Sequence, residues 1–106
     1  MDSQTKQVVQ EFSRRAQELY GDDLKQIVVY GSVARDEATL DSDIDLAVVL
    51  AGDVVPSREI DRMIELITDI NLEYGVLLSV YPVSEQDYIN RESPLLINIR
   101  REGIPA

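Results

Sequence analysis

Residues 31–46 read Gly31-Ser32-Val33-Ala34-Arg35-Asp36-Glu37-Ala38-Thr39-Leu40-Asp41-Ser42-Asp43-Ile44-Asp45-Leu46, between two β-branched runs, Gln26 to Tyr30 and Ile44 to Leu50. Both runs are strand candidates, the first ended by Gly31 and the second closed by Ala51-Gly52-Asp53. Strand side chains alternate, so Asp43 and Asp45 project from one face and Ile44, Leu46, Val48 and Leu50 from the other. The second face is core, and the first opens on two carboxylates. A fold tolerates such a like-charged pair where a cation sits between the two or solvent screens them. Hard oxygen ligands of this kind suit Mg²⁺ or Mn²⁺, which bind through a few carboxylates plus substrate phosphates. Gly31 lets a ligand approach the backbone, and Ser32 is placed to cap a short helix through Ala34 and Arg35. N–H groups at such a helix start seat a phosphate, with Arg35 in reach of a triphosphate tail. For that seat and the aspartates to share one substrate, the two strands must pair antiparallel.

Working outward, Val8, Val9, Phe12, Ala16, Leu19 and Tyr20 recur at helical spacing, which predicts an amphipathic helix over 3–20 stopped at Gly21. Pro56-Ser57 opens a second long helix whose stripe of Ile60, Met63, Ile64, Ile67, Ile70 and Tyr74 is core, with Gly75 at its end. Val76 to Tyr81 reads as a third strand ended by Pro82. Ser84-Glu85-Gln86-Asp87 has the form of a capping box, and Ser93-Pro94 opens a last helix stopped at Gly103. A helical crossover returns the third strand parallel to the second. The expected fold is therefore α+β, close to α/β in order: a small mixed sheet with flanking helices.

The 106 residues fit one domain, 1–106, and 44% hydrophobic with 28% charged residues is ordinary globular composition. Ten basic against 20 acidic side chains give a net charge of -10, which argues against direct nucleic-acid binding and favours a basic protein partner or a small cation. The absence of cysteine and histidine excludes disulfides, thiolate sites, imidazole-based zinc sites and the Ser-His-Asp triad. No apolar run reaches membrane-spanning length and the first twenty residues lack a signal-peptide core, so a cytoplasmic protein without membrane association is expected.

Gly31-Ser32, ten intervening residues, then Asp43-Ile44-Asp45 resemble the GS-x10-D-x-D signature of nucleotidyltransferases related to DNA polymerase β. Chain length, the Ala34-Arg35 step and the ending Arg100-Arg101-Glu102-Gly103-Ile104 look like the minimal nucleotidyltransferase subgroup, often the antitoxin partnered with a HEPN-domain ribonuclease toxin. The resemblance implies a nucleotidyltransferase palm fold, with Asp43 and Asp45 as catalytic metal ligands holding Mg²⁺ (or Mn²⁺) against the phosphates of ATP. Gly31, Ser32 and Arg35 would then bind the nucleotide. It further implies a hetero-oligomer in which a tyrosine of the helical toxin is adenylylated.

Two positions depart from the family's pattern. Asp36 stands where a glycine is common, and the third carboxylate expected on the strand 76–81 is missing, with Ser79 its only small polar residue. Glu73, just before that strand, is a conceivable substitute. Losing this ligand would weaken transfer while leaving nucleotide binding, so a pseudoenzyme that neutralises its partner by occlusion is the alternative. A small-molecule transferase acting on an aminoglycoside-type acceptor is the third reading. In isolation, Asp43-Ile44-Asp45 would be a solvated strand start and Gly31-Ser32 a turn; their offset from one another favours the site. Arg35 suits a surface ion pair with Asp36, Glu37 or Asp41 equally well.

Overall fold

A computed structural model describes residues 1–39 and 42–106. In chain order these form α1 (Ser3–Tyr20), a 3-10 turn (Gly21–Asp23), β1 (Leu24–Tyr30), the one-turn α2 (Gly31–Ala34), β2 (Ile44–Leu50) and α3 (Pro56–Tyr74). There follow β3 (Leu78–Ser84), α4 (Glu85–Asn90), α5 (Pro94–Glu102) and the two-residue β4 (Ile104–Pro105).

Local chemistry sets the helix ends. Asp2 caps α1 by accepting from the Thr5 N–H at 2.7 Å, and Ser84 and Ser93 cap α4 and α5 through the N–H groups of Asp87 and Leu96. Pro56 starts α3, and Gly75 ends it in the left-handed conformation. The sheet runs β3-β2-β1-β4, with β1 antiparallel to both β2 and β4, and β2 parallel to β3. The α+β architecture and mixed sheet agree with expectation. Among the described residues no helix is long and apolar enough to cross a membrane.

Helices α1 and α3 cover one face, where Phe12, Leu46, Met63 and Ile70 are fully buried. The opposite face is covered beyond the aspartates. Val28, Ala47, Val49 and Val83 form a second core there, roofed by Leu96 and Ile99 of α5. Strand β2 is thus buried on both sides from Leu46 onward, which suits a continuous apolar run better than an alternating one.

Other boundaries also differ from the sequence reading. Strand β1 starts two residues early, with a bulge between Leu24 and Gln26. β4 was not foreseen because two residues carry no periodicity. Ile64 is half exposed rather than core, while Leu66 and Glu59 of the same helix are buried. Strand β3 spans 78–84 instead of 76–81, and Pro82 lies inside it. The Leu77 carbonyl accepts from the Ile44 N–H at 2.9 Å, so residues 77, 79, 81 and 83 turn their backbone groups to β2. Leu78, Val80 and Pro82 face the open edge of the sheet, where proline's missing N–H breaks no ladder bond.

Candidate active site

The register of the three long strands assembles the site. Tyr30 is the ladder partner of Asp45 on one side and Ser79 its partner on the other, so Tyr30, Asp45 and Ser79 form a row on the face roofed by α5. Gly31 follows Tyr30 at once with φ +72, and a β-carbon built on it would overlap the Asp45 carboxylate. Glycine is therefore required twice, by its backbone angle and by the side chain packed on it. Asp43 sits one residue before β2, exposed, and close enough for its charge to act on Asp45.

Burial, followed by the Asp43 charge, holds the Asp45 carboxyl above its ordinary value, against the opposing pull of the Ser79 hydroxyl and the Arg35 charge. Tyr30, read from sequence as core, is half-buried; burial, Asp45 and Tyr81 push its hydroxyl up to about 12. Its place in the row follows from strand parity counted back from Gly31, which is the signal that would have found it.

Ser32 does not cap. It is the second residue of α2, whose N-cap position is Tyr30 and carries no side-chain cap bond. Its carbonyl accepts instead from the Glu37 N–H at 2.8 Å, tightening the turn that follows. Asp36 in that turn has φ 59, the left-handed conformation that glycine adopts freely and that aspartate tolerates better than most residues. This accounts for the glycine common at that position in the resembled family.

Arg35 pairs with Glu37 and Glu102, both at 3.2 Å, tying the end of α2 to the end of α5. Of the acceptors expected for a surface pair, Glu37 is one, whereas Asp41 lies outside the described residues; Glu102, distant in sequence, gave no local signal. Glu73 cannot complete the site. It stands on α3, which covers the face opposite Asp45. Among the described residues no three or more acidic, histidine or cysteine side chains are placed to hold a metal ion together.

The residues present suit one divalent cation. Asp43 and Asp45 offer hard oxygens, the Ser79 hydroxyl lies in register beside them, and a shared cation would relieve the like-charge and burial penalties on Asp45. A cleft of about 730 Å³ also opens at this end of the sheet, with Asp43 on its rim and the start of α1, Ala38, Thr39, Ser42, Ile44 and the α3–β3 turn among its walls.

The family model described as "Nucleotidyltransferase domain" matches residues 9–104. Two proteins of Methanocaldococcus jannaschii, both named "Putative protein adenylyltransferase", are similar to the chain. One is 35% identical over 97 residues, covering 87% of this chain and 64% of its own length. The other is 36% identical over 78 residues, covering 74% of this chain and 72% of its own. The chain thus spans just under two thirds of the first relative. A solved chain described as "a putative nucleotidyltransferase from Sulfolobus solfataricus" superposes with TM-score 0.46 and 16% identity, over 99% of this chain and 86% of that one. With the family model spanning nearly the whole sequence and the glycine-serine turn set against the paired aspartates, the chain belongs to the nucleotidyltransferase domain family.

Proposed function

We propose that the chain is a metal-dependent antitoxin that transfers AMP from ATP to a tyrosine of a HEPN ribonuclease toxin. The observation that carries the reading is the packing of the Asp45 carboxylate on Gly31, with Asp43 beside it. The names of the two archaeal relatives favour a protein acceptor, and an excess of ten acidic charges favours docking onto a basic one.

In this reading Asp43 and Asp45 hold Mg²⁺ or Mn²⁺, which supplies charge neutralisation to the phosphates. Gly31 and Ser32 present backbone to the triphosphate, and Arg35 adds positive charge on that side. The tyrosine oxygen bonds to the α-phosphorus as the bond to pyrophosphate breaks. Its proton leaves to solvent, because Ser79 stands where a carboxylate base would face Asp45.

Incubating the chain with α-labelled ATP, Mg²⁺ and the protein encoded beside it should label that protein on tyrosine, and Asp43→Ala or Asp45→Ala should abolish both labelling and protection. No labelling, with both variants still neutralising the toxin, would overturn the enzymatic reading. Ser79 in the carboxylate's place favours one alternative, a binding module that neutralises its partner by occlusion, and the same variants separate the two.

A further inference from the structure

The cleft beside Asp43 lies apart from Arg35, the basic side chain that Glu37 and Glu102 hold at the end of α2. Among the described residues no lysine or arginine lines the cleft. Its charged groups are the carboxylates of Asp2 and Asp43, its other polar groups are hydroxyls and an amide, and Val33 and Leu77 supply apolar wall. Asp2 caps α1 by accepting from Thr5, and those bonds hold its carboxyl below its ordinary value, which favours the ionised form. The amino terminus acts on Asp2, but the cleft offers no lysine or arginine among its described lining to hold a polyphosphate, so the nucleotide's tail belongs on the Arg35 side of Asp43. The cleft's volume accommodates one or two large side chains.

We infer that this cleft receives the acceptor segment of the partner protein, a stretch in which lysine or arginine flanks the residue to be modified. The inference rests on the protein-acceptor reading above. The cation meets Asp2, the apolar body of the acceptor side chain lies against Val33 and Leu77, and its hydroxyl is delivered to the Asp43 rim, opposite the phosphates. Asp43 is the boundary between the two binding regions and serves both.

Two short tyrosine peptides, one flanked by lysines and one by glutamates, test this when titrated into the isotopically labelled chain without nucleotide. The lysine peptide should shift the amide resonances of Thr5 and Leu77 and the glutamate peptide should leave them in place. Leu77→Arg, at an exposed position, should weaken the lysine peptide about tenfold and Leu77→Glu should tighten it, with ATP–Mg²⁺ affinity unchanged in both. Equal binding of the two peptides, no shift with either, or shifts confined to other surfaces would overturn the inference. So would displacement of Thr5 and Leu77 resonances by ATP–Mg²⁺ alone, since the cleft would then hold the nucleotide. Charge-selective peptide binding without AMP transfer would count against the enzymatic reading and leave the cleft assignment standing.

Discussion

Replacing Gly31 by alanine combines a left-handed backbone angle with a methyl group inside the space of the Asp45 carboxylate. The expected loss is about 2 kcal/mol or more in denaturant unfolding. Because part of that loss is the overlap, Asp45→Ala in the same chain should recover some of it, so the two substitutions will be less than additive. Asp45 also makes stability depend on pH. Its carboxyl is raised in the folded state above the ordinary 3.8, so the ionised form is disfavoured by folding. That cost is absent below the ordinary value and complete above the raised one, and stability falls as pH rises through the interval. Asp45→Asn should flatten this fall in thermal melts recorded across mildly acidic pH while abolishing transfer. Ser79 is the third member of the row. If its hydroxyl replaces a proton acceptor, Ser79→Asp should raise the rate of AMP transfer by about tenfold or more, and the parent chain's rate should climb with pH toward the tyrosine range.

Helices α1 and α3 are joined by more than apolar packing. The Tyr20 hydroxyl donates to the buried Glu59 carboxylate at 2.8 Å, and Arg62 reaches the same carboxylate at 3.3 Å while lying 4.5 Å over the Tyr20 ring. Tyr20→Phe leaves a buried carboxylate short of a donor, for an expected loss of about 1–3 kcal/mol in urea unfolding. At the other side of the sheet, β3 closes its own edge. Asn71 accepts from the outward Leu78 N–H at 3.0 Å, and Pro82 has no N–H to offer, so among Leu78, Val80 and Pro82 it is Val80 that leaves its N–H to the edge. Pro82→Thr should leave the fold intact and increase self-association in sedimentation, because it restores a second donor along an unpaired strand. This is why proline misled the sequence reading. It marks a strand's end in a central position but a protected edge here, and nothing in Val76 to Tyr81 says which strand lies outermost.

At the scale of the molecule, an excess of ten acidic charges should speed encounter with a basic partner. The association rate is expected to fall several-fold in stopped-flow as salt rises from about 0.05 to 0.5 M, with dissociation much less affected. The order of elements, the parallel and antiparallel pairings and the nearness of Gly31 to Asp45 were legible in the chain, because alternation and the offset between the two motifs both express strand geometry. Pairings set by tertiary packing were not: Glu102 against Arg35 and α5 over the aspartate face leave no periodic trace. The two-sided burial of β2 also dictates a sequence of events during synthesis. The first core draws on residues from Val8 to Leu78, but the second waits for Leu96 and Ile99. A chain leaving the ribosome N-terminus first can therefore bury one side of β2 while the side bearing Asp45 still lacks its roof. The nascent polypeptide carries Asp43 and Asp45 long before it can hold them still, and their surroundings are complete only once α5 has emerged.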